Sequence, residues 1–140
     1  MNKELISFEK TSQMDPNVRT ILSTITATIA GVVILPISQL ILINILPLDM
    51  YMSPLPYGIM FLLSGITIGA LSAFIDPDRK LSYVISVVFV IVFSLMIVSS
   101  GPGLGALLFP LLLGLLIMVT SSFSVHARIS RGIIEKRGKK

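Results

Sequence analysis

Apolar residues run along this chain in long stretches, interrupted at only a few points where charge, proline or glycine gathers. No formal charge falls between Arg19 and Asp49, between Asp49 and Asp76, or between Lys80 and Arg128. A helix rises about 1.5 Å per residue and the hydrocarbon core of a bilayer is about 30 Å thick, so one crossing takes roughly 20 mostly apolar residues. The first two runs each hold one crossing. The third is long enough for two, and Ser99-Ser100-Gly101-Pro102-Gly103 marks where it folds back. The pattern predicts an all-α integral membrane protein: four transmembrane helices in an antiparallel bundle, near 16–46, 57–75, 77–100 and 104–128. A short segment (1–15) precedes them and a basic tail (129–140) follows.

Local chemistry punctuates these spans. In Asp15-Pro16 and Asp76-Pro77 the aspartate can cap the free N–H groups of the next helix, while proline suits the first helical position. The second pair leaves almost no loop between the second and third spans, so these should form a tight hairpin. From Thr20 to Leu46 the first span would measure about 40 Å, which calls for tilt, kink or protrusion. Pro36 and Pro110 offer kinks in the first and fourth spans. The segment ahead of Asp15 carries a modest apolar face from Leu5 and Phe8, suited to an interfacial helix.

Composition sharpens the class. Apolar residues make up 54% and charged residues 13% of the chain, far from the roughly 25% charged of an ordinary globular domain. A 140-residue soluble domain has too much surface for its volume to bury that apolar content. With four spans, all eleven lysines and arginines fall at one end, which by the positive-inside rule is cytoplasmic. Both termini are therefore expected inside, and the location is a multi-pass one, in the cell membrane. The stretch from Met1 to Arg19 mixes acids with bases and does not read as a cleaved signal. Cysteine is absent, which removes thiolate chemistry.

Small residues form faces that let helices approach. Gly58, Gly65, Gly69 and Ala73 share one side of the second span, and Gly65-Ile66-Thr67-Ile68-Gly69 is a GxxxG element. Thr20, Thr24, Thr28 and Gly31 make a similar stripe on the first span. These faces suit packing within one bundle or a seam with a partner. The third span carries only Ser82, Ser86 and Ser94 as a thin polar stripe, so most of it is expected to face lipid or a flat apolar partner.

Candidate chemistry is sparse. Proton-coupled transport relies on ionisable groups within the bilayer; the most polar groups in these span interiors are Gln39 and Asn44. The segment Gly101-Pro102-Gly103-Leu104-Gly105 is expected to be a turn, since it lacks the preceding strand and the lysine of a phosphate loop. Met50 and Met52 form a Met-x-Met pair of soft thioethers in an external loop stiffened by Pro47, Pro54 and Pro56, with Tyr51 and Tyr57 at the level of an aromatic belt. His126 is expected to snorkel at the inner interface. Arg128, Arg131, Lys136, Arg137, Lys139 and Lys140 form a cluster suited to anionic headgroups, each worth about 1 kcal/mol near such a surface. The net charge of +4 is accounted for by topology, with no nucleic-acid-binding module.

The expected function is that of a non-catalytic accessory or structural subunit of a larger membrane complex, binding other integral subunits and needing no cofactor. A homo-oligomeric channel or carrier for an uncharged solute is the first alternative. Copper handling by the outer methionines is the second. An enzyme is the least expected, since nucleophile, base and metal cluster are missing as recognisable sets.

Overall fold

The computed structural model describes residues 14–51, 53–99 and 104–139. Within them the chain is helical, with no strand: α1 (Pro16–Ile45), the single turn α2 (Leu48–Tyr51), α3 (Leu55–Ile75), α4 (Leu81–Ser99) and α5 (Leu104–Gly138). Three helices are long and apolar enough to cross a membrane: α1, α3, and α5 over Leu108–Gly138. The apolar stretch of α4, Leu81–Ile97, is shorter. The expected interfacial helix at Leu5 and Phe8, the fold-back residues 100–103, Met52 and Lys140 lie outside the described residues.

Helix boundaries follow from caps and prolines. The Asp15 carboxylate accepts from the Asn17 N–H at 2.8 Å, and Pro16 follows as the first helical residue. At the other end Leu46 is extended, with φ −89° and ψ 140°, as the residue before a proline tends to be. α3 ends at Asp76, φ −133° and ψ 72°, immediately before Pro77. The sequence predicts that the next helix starts at Pro77, capped by Asp76. Instead residues 77–80 form a turn and α4 begins at Leu81. The Asp76 carboxylate is drawn sideways to α1 and does not serve the next helix.

α5 continues well past the expected end at 128, as far as Gly138. Its last turns carry an i,i+4 pair, Lys139 Nζ to Glu135 Oε1 at 3.1 Å, and Lys136 and Arg137 complement the negative helix end. Gly132, inside this extension, has open space where a Cβ would stand. Gly132→Ala should therefore stabilise the protein by about 0.5–1 kcal/mol, by restricting the unfolded chain, and thermal unfolding in detergent checks it.

The core runs through the middle of the four long helices: Ala27 and Leu35 from α1, Phe61 and Ile68 from α3, Val87 and Val90 from α4, and Leu111, Leu115 and Met118 from α5. α3 is the hub, packed against both α1 and α5, while α4 lies against α1. Hydroxyl groups stitch these contacts. Ser64 Oγ donates to the Gly31 carbonyl across α1 and α3 at 2.9 Å, and Ser86 Oγ reaches the Thr24 carbonyl across α1 and α4 at 3.1 Å. Ser82, Ser86 and Ser94, the thin stripe of the third expected span, are all buried.

Candidate functional site

The polar groups that converge do so at one end, where α1 begins, α3 turns into α4 and α5 passes. Arg19 and Thr20 stand one helical turn into α1 from the Asp15 cap. Thr20 Oγ1 donates to Asp76 Oδ2 at 2.6 Å, sharing its proton with the Pro16 carbonyl at 3.0 Å. Arg19 Nε stands 3.6 Å from Asp76 Oδ1, an ion pair without a hydrogen bond, and Arg19 also donates to Asp78 Oδ2 at 3.0 Å. Asp76 is 0% exposed. Thr20 replaces the lost water at Oδ2 and Arg19 supplies a counter-charge, while Oδ1 has no hydrogen-bond partner among the described residues.

Asp78 ties in the last helix as well. Arg137 Nη1 approaches the same Asp78 oxygen at 3.3 Å, so the α3–α4 turn is held by the first and the last helix at once. Beside it Arg79 donates to the Asn17 side chain at 3.1 Å. These two contacts are exposed, and exposed pairs of this kind contribute about 0–1 kcal/mol each. The energetic weight rests on Asp76.

One turn deeper, His126 is 2% exposed. The sequence expectation of a snorkelling histidine is therefore corrected: the ring turns inward. It packs against Tyr83 with ring centroids 4.6 Å apart, and its Nδ1 lies 3.1 Å from Ser72 Oγ. Ser72 Oγ also lies 3.1 Å from the Gly69 carbonyl, and which of the hydroxyl and the imidazole Nδ1 donates to the other follows the His126 tautomer. Ser23 Oγ reaches the Ser72 carbonyl at 3.4 Å. Burial of His126 was open to periodicity, since Leu111, Leu115, Met118, Ser122, His126 and Ser130 are all buried and recur at three or four residues on α5.

The small-residue positions pack within the chain. A Cβ on Gly65 would fall 2.6 Å from the Met118 carbonyl oxygen and 3.0 Å from its Cα, besides meeting Ser121 Oγ. One on Gly69 would fall 2.5 Å from the Ser122 carbonyl oxygen. Gly58 is looser, facing Ile117 at 3.4 Å, and Ala73 is fully buried. On α1, Gly31 faces Ile68 and Val90, Thr24 donates to the Thr20 carbonyl, and the buried Thr28 Oγ1 has no partner among the described residues.

Other sequence candidates stay apart. Arg128, Arg131, Lys136 and Lys139 are exposed along the α5 extension, whereas Arg137, also exposed, reaches the Asp78 turn. Met50 is exposed on α2, and its expected companion Met52 lies outside the described residues. No group of three or more histidine, aspartate or glutamate side chains is placed to hold a metal among the described residues.

Four long helices, three of them able to cross a bilayer, with their polar side chains turned onto one another, define a helical membrane protein. No protein-family model, curated protein or solved structure matches the chain.

Proposed function

We propose that this protein is a non-catalytic accessory subunit that works by lateral contact inside a larger membrane assembly. One observation carries the reading. Ile21, Ile25, Ile29, Val33, Ile37 and Ile41 form an unbroken ridge at four-residue spacing along α1, each 45–60% exposed. Such i, i+4 rows are what one helix inserts into the groove of another. β-Branched side chains suit that task because they hold few rotamers to lose on docking.

In this reading α4 completes a four-span antiparallel bundle, since its 19 residues measure about 28 Å, close to a bilayer core. The polar end with Asp76 faces the cytoplasm, with both termini and all eleven basic residues, in the plasma membrane. The basic face of the α5 extension meets anionic headgroups there.

The test uses the absence of native cysteine. A single Ile29→Cys chain, expressed in its own membrane, is expected to give heteromeric cross-links with a maleimide-based linker. Blue-native migration and mass spectrometry of the same membranes are expected to place it with other subunits. A chain that runs alone, with no cross-link from Ile29→Cys, overturns the proposal.

A further inference from the structure

Away from the Asp76 end, α1 and α4 separate and leave a cavity of about 550 Å³ between them. The exposed side chains Val33, Ile37, Phe93 and Ile97 flank its mouth, and the buried Phe61 and Leu111 form its floor. This volume falls within the roughly 300–1,000 Å³ of ordinary ligand sites. No lining residue is charged. In a bilayer the solvent at that mouth is hydrocarbon, and a void of this size would forfeit dispersion contacts along every wall.

Three polar side chains line the same cavity, and one of them, Ser94, already donates to the Val90 carbonyl at 2.7 Å. Gln39, on the last third of α1, and Tyr57, at the start of α3, each contribute to the wall. Neither the amide nor the phenol has a hydrogen-bond partner among the described residues. An amide within an apolar helix is costly unless something bonds to it. Both can donate to a carbonyl oxygen, and both lie toward the end of the bundle where a lipid's ester region sits above its chains. Charge is missing from the lining, which argues against the phosphate itself as the recognised group.

We propose that this cavity is a lipid site: one acyl chain of a glycerolipid enters between α1 and α4 from the leaflet at the 46–54 end. Its ester carbonyl accepts from the Gln39 amide, with Tyr57 in the same wall, and the chain end lies on Phe61 and Leu111. The proposal needs only that the protein resides in a bilayer; because Val33 and Ile37 flank this mouth, a partner helix would dock on the Ile21, Ile25 and Ile29 half of the α1 ridge and leave the mouth to lipid.

The experiment reconstitutes the full chain in nanodiscs with phosphatidylcholine carrying a diazirine in one acyl chain, and maps the photoproducts by mass spectrometry. Buried Phe61 and Leu111 are expected to label in preference to the exposed Leu116 and Phe123, which meet bulk lipid. Val33→Trp, a change at the exposed mouth, is expected to reduce labelling of the floor and leave Leu116 and Phe123 unchanged. Gln39→Leu should lower floor labelling by about threefold, the effect of one neutral hydrogen bond. A second arm supplies a diazirine fatty acid without glycerol. Floor labelling no greater than at Phe123, insensitivity to Val33→Trp or Gln39→Leu, or labelling by the free acid alone would each overturn the assignment.

Discussion

Replacing Asp76 with alanine is expected to cost the fold about 3 kcal/mol, because it leaves the buried Arg19 guanidinium with the half-exposed Asp78 as its remaining described counter-charge. Arg19 is held on one side by the carboxylate at 3.6 Å and on the other by the exposed Asp78, and its Nε has no other described partner. Thr20 would lose its 2.6 Å acceptor at the same time. The informative comparison is a cycle. Removing both charges, with Arg19→Leu and Asp76→Leu together, should cost far less than Asp76→Ala alone, since a buried pair and its apolar replacement are often close in energy. Thermal unfolding in a mild detergent reads all of these variants. A single Asp76→Ala chain as stable as its parent would show that the ion pair does not hold the helices.

Gly65→Val should be the next most damaging change. The added Cβ would meet the backbone of α5 at Met118, and a backbone cannot rotate away as a side chain can. α3 and α5 must then separate. Overpacking of this kind costs about 1–3 kcal/mol, and more where backbone has to move. Gly58→Ala supplies the control, since its nearest neighbour is a flexible isoleucine end at 3.4 Å. A cysteine pair across α3 and α5 should cross-link readily in the parent and poorly in Gly65→Val. Equal cross-linking in both would remove the close approach from the account.

Much of this arrangement is legible in residue order, and the reason differs from case to case. The Asp15 cap is local, and so is the stop at Leu46 before Pro47; both follow from backbone chemistry within a few residues. The faces on α3 are legible because helical spacing repeats, although the sequence leaves open what they face. Contacts between elements are harder. Nothing near Asp76 in the chain signals that Thr20, 56 residues away, draws the carboxylate off and delays the start of α4 to Leu81. His126 shows the opposite case: its spacing from Met118 and Ser122 places it on the buried stripe, but an interface location suggests exposure. The helical course of 129–138 escapes notice because a run of positive charge reads as a tail. The i,i+4 partner Glu135 is there to be counted.

The double anchoring of Asp78 also sets an order of events during synthesis. Arg19 leaves the ribosome long before Asp78, and Arg137 follows Asp78 after an equal stretch of chain. At about 5–20 residues per second, each interval lasts several seconds. α1 and the α3–α4 hairpin can thus join first, leaving the glycine groove of α3 open to lipid until the last helix arrives to fill it. During that interval the groove is accessible to any other helix being inserted nearby, and the final ion pair to Arg137 forms only once the chain's own helix has taken its place.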